Sequence, residues 1–170
     1  MPNTSVHAVS TPSFAGNRSR RTGAGRRITS EIARYLGAVS ILVVGGIHAQ
    51  QYYDAYYSQV PTIGRLFLLS FIGAGIVGAA LLAPVQRLGK RLGDLILGVA
   101  ALGAIGIALG TLVSLLVSEY MPLFGFTEYG YRLAIVLTLL FDSLTPVFLG
   151  VFLLFVGPEP IRLLRTARRA

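Results

Sequence analysis

Residues 133–157 read LAIVLTLLFDSLTPVFLGVFLLFVG, an apolar run broken by one charge, Asp142. A helix needs about 20 apolar residues to cross the hydrocarbon core of a bilayer, and this run supplies more. Tyr35 to Tyr53, Leu66 to Val85 and Leu95 to Ser118 are also long and contain no Asp, Glu, Lys or Arg. Strands of a membrane barrel would alternate polar and apolar residues, which these runs do not do. In lipid every backbone polar group must be paired within the protein, so helices are the reading that fits. The expected fold class is all-α: a polytopic membrane protein with four transmembrane helices in a bundle. The spans should cover about 33–56, 62–85, 94–118 and 131–157.

Composition agrees. Of 170 residues, 54% are hydrophobic and only 13% charged, with a mean hydropathy of +0.68. One soluble core of this size could not hide that much apolar surface. With no cysteine there is no disulfide framework, thiolate metal site or cysteine nucleophile. With no tryptophan, eight tyrosines and nine phenylalanines are left as interfacial anchors.

The net charge of +8 would suggest nucleic acid in a soluble protein. Here the basic residues cluster at the ends of apolar runs, which marks topology and attraction to anionic lipid; no nucleic-acid partner is expected. Arg18, Arg20, Arg21, Arg26, Arg27 and Arg34 precede the first span. Arg87, Lys90 and Arg91 join the second to the third, and Arg162, Arg165, Arg168 and Arg169 follow the fourth. With four spans these all lie on one side, leaving only Arg65 and Arg132 on the other. The positive-inside rule therefore places both termini in the cytoplasm; the expected location is the plasma membrane, crossed several times. Residues 1–30, rich in Ser, Thr, Gly, Pro and Arg, should form a disordered basic tail, 31–158 the membrane domain, and 159–170 a second basic tail. A cleaved leader ending near Ala49 does not fit, because its basic region would be too long and its cleavage site poor.

Spans two and three carry many small residues, which favour close helix approach in lipid. Gly106 and Gly110 form a GxxxG pair, and Gly75 and Ala79 a similar small pair. The expectation is packing between spans two and three as an antiparallel hairpin, with a homodimer seam as the alternative. Pro146 inside span four removes a donor beside Asp142 and should kink the helix there.

Ionisable residues within a membrane usually face the bundle interior, a partner or water. Two lie well inside the spans, His48 and Asp142, at comparable depth from the outer surface. On span one His48, Gln51, Tyr52, Ala55, Tyr56 and Gln59 share a face, and on span four Tyr131, Thr138, Asp142 and Thr145 do. These stripes should face each other or a shared cavity. A His48–Asp142 pair with tyrosine partners could then serve as a proton relay, as a polar anchor for a ligand, or as a clamp that fixes helix register. The candidate pocket is His48, Asp142, Tyr52, Tyr56, Thr138 and Thr145. No metal or other cofactor is expected, because His48 is the one histidine in a span and has no second ligand at suitable spacing. Arg65 and Arg132 should be outer-interface charges, paired with Asp54, Glu119 or Glu128 or meeting an anionic ligand. Ser114 and Ser118 should bond their own helix.

The segment HAQQYYDAYYSQVPTIGRLFLL (48–69) carries a histidine, a tyrosine eight or nine residues on, then Pro-x-Ile-Gly-x-Leu-Phe-Leu-Leu. It resembles a group of small four-span integral membrane proteins of actinobacteria, matching their recurring positions at His48, Tyr56 or Tyr57, Pro61, Gly64 and Phe67. The resemblance implies a glutamate-like place in the last span, taken here by Asp142, and an envelope location rather than a reaction.

Two function classes follow. One is a non-enzymatic accessory or assembly subunit of an envelope complex, with a membrane-protein partner or further copies of itself. The other is a small proton-coupled carrier, or a lipid- or quinone-binding protein, using the His–Asp pair. An enzyme has least support: the chain shows no phosphate-binding glycine loop, nucleophile elbow, paired carboxylates or HExxH pair.

Overall fold

The computed structural model describes residues 15–54, 57–120 and 133–156. Four helices carry the chain: α1 Ala15–Asp54, α2 Pro61–Leu82, α3 Lys90–Tyr120 and α4 Leu133–Val156. Each contains a stretch long and apolar enough to cross a membrane. The protein is an all-α, multi-pass membrane protein. In ring order α1 packs on α2, α2 on α3, α3 on α4 and α4 back on α1, while α1 and α3 scarcely touch across the diagonal. Neighbours in sequence are thus neighbours in space, as short connections demand.

The helix ends follow local chemistry. Pro61 opens α2, its missing N–H being one that a first turn cannot use, and Gly64 N–H closes that turn on the Val60 carbonyl at 2.8 Å. α2 ends where Ala83 turns extended. A short 3-10 turn, Val85–Leu88, leads to Gly89, whose φ of 109° favours glycine. Gly93 then passes so close to the turn that a Cβ there would lie 2.8 Å from the Gln86 Cα. These two glycines set the hairpin between α2 and α3.

α1 reaches back to Ala15, into the segment 1–30 expected to be disordered. Extending an existing helix adds one bond per residue without a new nucleus, so a span can carry helix into a polar flank. α1 is also the most deeply packed helix: 56% of its membrane-crossing stretch is buried, against 17% for α2. Its inward face (Ala38, Ile41, Val44) meets Leu149 and Phe152 of α4 and Ala74 and Leu81 of α2. α3 contributes a narrow seam of Leu97, Ala101, Ala104 and Ala108.

Without a hydrophobic drive between helices in lipid, close packing of small residues carries association. A Cβ at Gly37 would collide with Leu149, one at Gly78 would lie 2.6 Å from the end of Leu42, and one at Gly45 would lie 2.9 Å from the Ala74 Cβ. Between α2 and α3 the notches are Gly73 against Ile107 and Gly103 against Val77. The expected pairs behave differently. Nothing lies within 4 Å of a Cβ built at Gly75, Gly106 or Gly110. Gly106 and Gly110 do not close the hairpin; they border open space between the helices.

Candidate functional site

That open space is a cavity of about 420 Å³ bounded by all four helices. It sits in the half of the bundle holding the C-terminal ends of α1 and α3 and the N-terminal ends of α2 and α4. Each helix brings at least one polar side chain to an otherwise apolar wall: His48 and Gln51 from α1, Ser70 from α2, Thr111, Ser114 and Ser118 from α3, and Thr138 from α4. Gly106 and Gly110 give the cavity width, because two positions on that face of α3 carry no side chain.

His48 is held from two directions. Its Nδ1 lies 2.8 Å from the Val44 carbonyl, an oxygen that can only accept, so Nδ1 carries hydrogen and donates. Its ring leans on Phe67 of α2 at 5.0 Å between centroids, tilted by 47°. In the neutral ring Nε2 is then an acceptor, with no protein partner among the described residues.

Asp142, fully buried on α4, does not pair with His48. Among the described residues the one ion pair is Arg34–Glu31. Asp142 Oδ2 instead lies 2.6 Å from Thr111 Oγ1 on α3. Matched depth put His48 and Asp142 at one level, but the rotation of α4 aims the carboxyl at α3 rather than α1. Thr111 Oγ1 is also 3.0 Å from the Ile107 and Ala108 carbonyls. One hydroxyl hydrogen cannot serve three acceptors. Either Thr111 donates to the carboxylate, or it donates within its helix and a protonated Asp142 donates to Thr111. Asp142 Oδ1 is buried with no partner among the described residues.

The other expected residues divide. Thr138 lines the cavity. Thr145 is fully buried but donates to the Phe141 carbonyl of its own helix at 2.8 Å. Tyr52 packs edge-on against Tyr53 and does not line the cavity. Arg65 is exposed and, among the described residues, forms no ion pair with Asp54 or Glu119. Tyr56, Tyr131, Arg132 and Glu128 lie outside the described residues. Ser118 bonds the Leu115 carbonyl of its own helix at 2.7 Å.

Thr111 is the residue that sequence reading missed. A signal existed: Thr111, Ser114 and Ser118 recur at i, i+3 and i+7 on one face of an otherwise apolar span, the spacing of a helix face turned toward something polar. No three His, Cys, Asp or Glu side chains converge among the described residues. No protein-family model, curated protein or solved structure matches the chain.

Proposed function

We propose that this integral membrane protein holds an amphipathic small molecule of the lipid or quinone kind in the cavity between its four helices. The observation that carries the reading is the cavity itself, about 420 Å³, mostly apolar, with a hydrogen-bonding group from every helix. That size and wall suit small-molecule sites in general, where a few placed polar groups orient an apolar body. His48 Nε2 offers an acceptor on one side and the Thr111 hydroxyl oxygen another, its hydrogen being engaged by the Asp142 carboxyl or its own helix. Among the described residues the walls carry no basic side chain except His48, which favours a neutral ligand with hydroxyl or carbonyl groups over an anionic one. The distribution of Arg and Lys supports a plasma-membrane location with both termini cytoplasmic, which puts the cavity in the outer leaflet. The likeness of residues 48–69 to the small actinobacterial membrane proteins is part of the same proposal.

Filling the cavity tests it. Gly110→Phe meets no atom within 4 Å at its Cβ, so the helix tolerates the side chain while the ring occupies the space. Protein stripped of lipid in detergent and then given total lipid extract of its own membrane should gain several degrees in unfolding midpoint, the size expected for a ligand well above its Kd. Gly110→Phe should gain nothing. An equal rise in both proteins, or none in either, contradicts the cavity as the site.

A second reading, an accessory or assembly subunit, is supported by the small pair Gly75 and Ala79 on α2. Gly75 has open space around it and Ala79 is exposed, leaving a shallow groove where a neighbouring helix could approach closely.

A further inference from the structure

The opposite end of the bundle holds a charge that the cavity does not use. Arg34 is only 3% exposed, and its guanidinium cannot shed its charge. Of its three nitrogens, Nη2 alone has an acceptor, the Glu31 carboxylate at 2.6 Å, and that glutamate is 45% exposed. Nε and Nη1 are buried with no partner among the described residues, and so is the Ser30 hydroxyl one turn earlier. Ser30 and Arg34, four residues apart, share a face of α1. The Tyr35 ring covers one side of the guanidinium at 4.6 Å. Three N–H donors of Arg34 and a hydroxyl on the same helix face therefore lie unused among the described residues. Buried polar groups are nearly always satisfied, and what this set lacks is an acceptor of negative charge.

Depth indicates which acceptor. The uncharged stretch Tyr35–Tyr53 measures about 19 residues, roughly 28 Å along a helix, close to the hydrocarbon thickness of a bilayer. Arg34 is the charged residue that ends this stretch on the arginine-rich side, where the headgroup region begins. Arg26, Arg27, Arg87, Lys90 and Arg91 are exposed at the same end and attract anions to it. The planar fork of arginine matches phosphate oxygens in pairs, which one carboxylate on one nitrogen does not exploit.

We propose that Arg34 and Ser30 form a binding site for a phosphate oxyanion, with Glu31 as a competing cover that the phosphate displaces from Nη2. The site is separate from the cavity and does not depend on its having a ligand.

The test uses the full chain in bilayers of phosphatidylcholine alone, with added phosphatidylglycerol, and with inorganic phosphate against chloride at matched ionic strength. Unfolding midpoint is followed through each titration. Wild type should be stabilised. Glu31→Gln should shift the titration to severalfold lower concentration, because the internal competitor is gone; misfolding cannot imitate that gain. Arg34→Lys should weaken the response on the order of tenfold by losing the paired geometry, and Ser30→Ala should weaken it less. Arg87→Gln with Arg91→Gln should weaken it less than Arg34→Lys does, since these exposed charges only attract the anion, and Gly110→Phe should leave it in place. A response to phosphatidylglycerol alone identifies a lipid headgroup, and an equal response to inorganic phosphate identifies the free ion. If Glu31→Gln and Arg34→Lys both titrate like wild type, the site does not exist.

Discussion

Thr111→Val should destabilise the protein by about 2 kcal/mol, the range for stranding a buried polar group. The substitution nearly conserves shape, so packing changes little. It removes the single described partner of Asp142, whose other oxygen already has none. Asp142→Leu alone should be far milder, since Thr111 keeps the Ile107 and Ala108 carbonyls as acceptors. The double variant should then recover most of the loss. That recovery is the signature of a coupled pair and can be read from a double-mutant cycle of unfolding in detergent. Strict additivity would show that the 2.6 Å contact carries no coupling and that Asp142 is held by something else.

The second large effect lies between α1 and α2. Gly45→Val should cost about 3 kcal/mol or prevent folding, beyond the usual range for an overpacked core because neither neighbour can yield. A Cβ at position 45 would meet the Ala74 Cβ at 2.9 Å, with the Phe71 carbonyl at 3.6 Å. Ala74 is fully buried and has no flexible end to swing aside, so the helices must separate. The adjacent Gly46→Val is the control. Gly46 is exposed with nothing within 4 Å, and its substitution should stay within about 0.5 kcal/mol. Similar losses at both positions would mean that glycine matters to α1 for flexibility rather than for close approach.

The contrast between these two glycines shows what the sequence could and could not carry. Four spans were legible because length and absence of charge suffice to define them. The hairpin between α2 and α3 was legible from its short connection. The rotation of each helix was not. In a soluble bundle the buried face is apolar and the outer face polar, so periodicity reports rotation; in lipid both faces are apolar. Gly45 and Gly46 look alike in sequence, yet one touches α2 and the other faces outward. Gly106 and Gly110 read as a packing motif and instead border the cavity. The depth of Asp142 followed from counting residues, but its direction toward Thr111 rather than His48 did not. The lone polar residues were only partly informative: His48, Gln51 and Thr138 line the cavity while Tyr52, Asp142 and Thr145 of the same stripes do not, and the Thr111–Ser114–Ser118 spacing went unread.

The most direct test of the cavity as a binding site is native mass spectrometry of the protein released gently from its own membrane, beside the Gly110→Phe variant prepared identically. The cavity predicts a small amphipathic molecule retained by wild type at one per chain and lost from Gly110→Phe, with the folded mass of both otherwise equal. A bare wild-type chain, or the same adduct on both proteins, would contradict it.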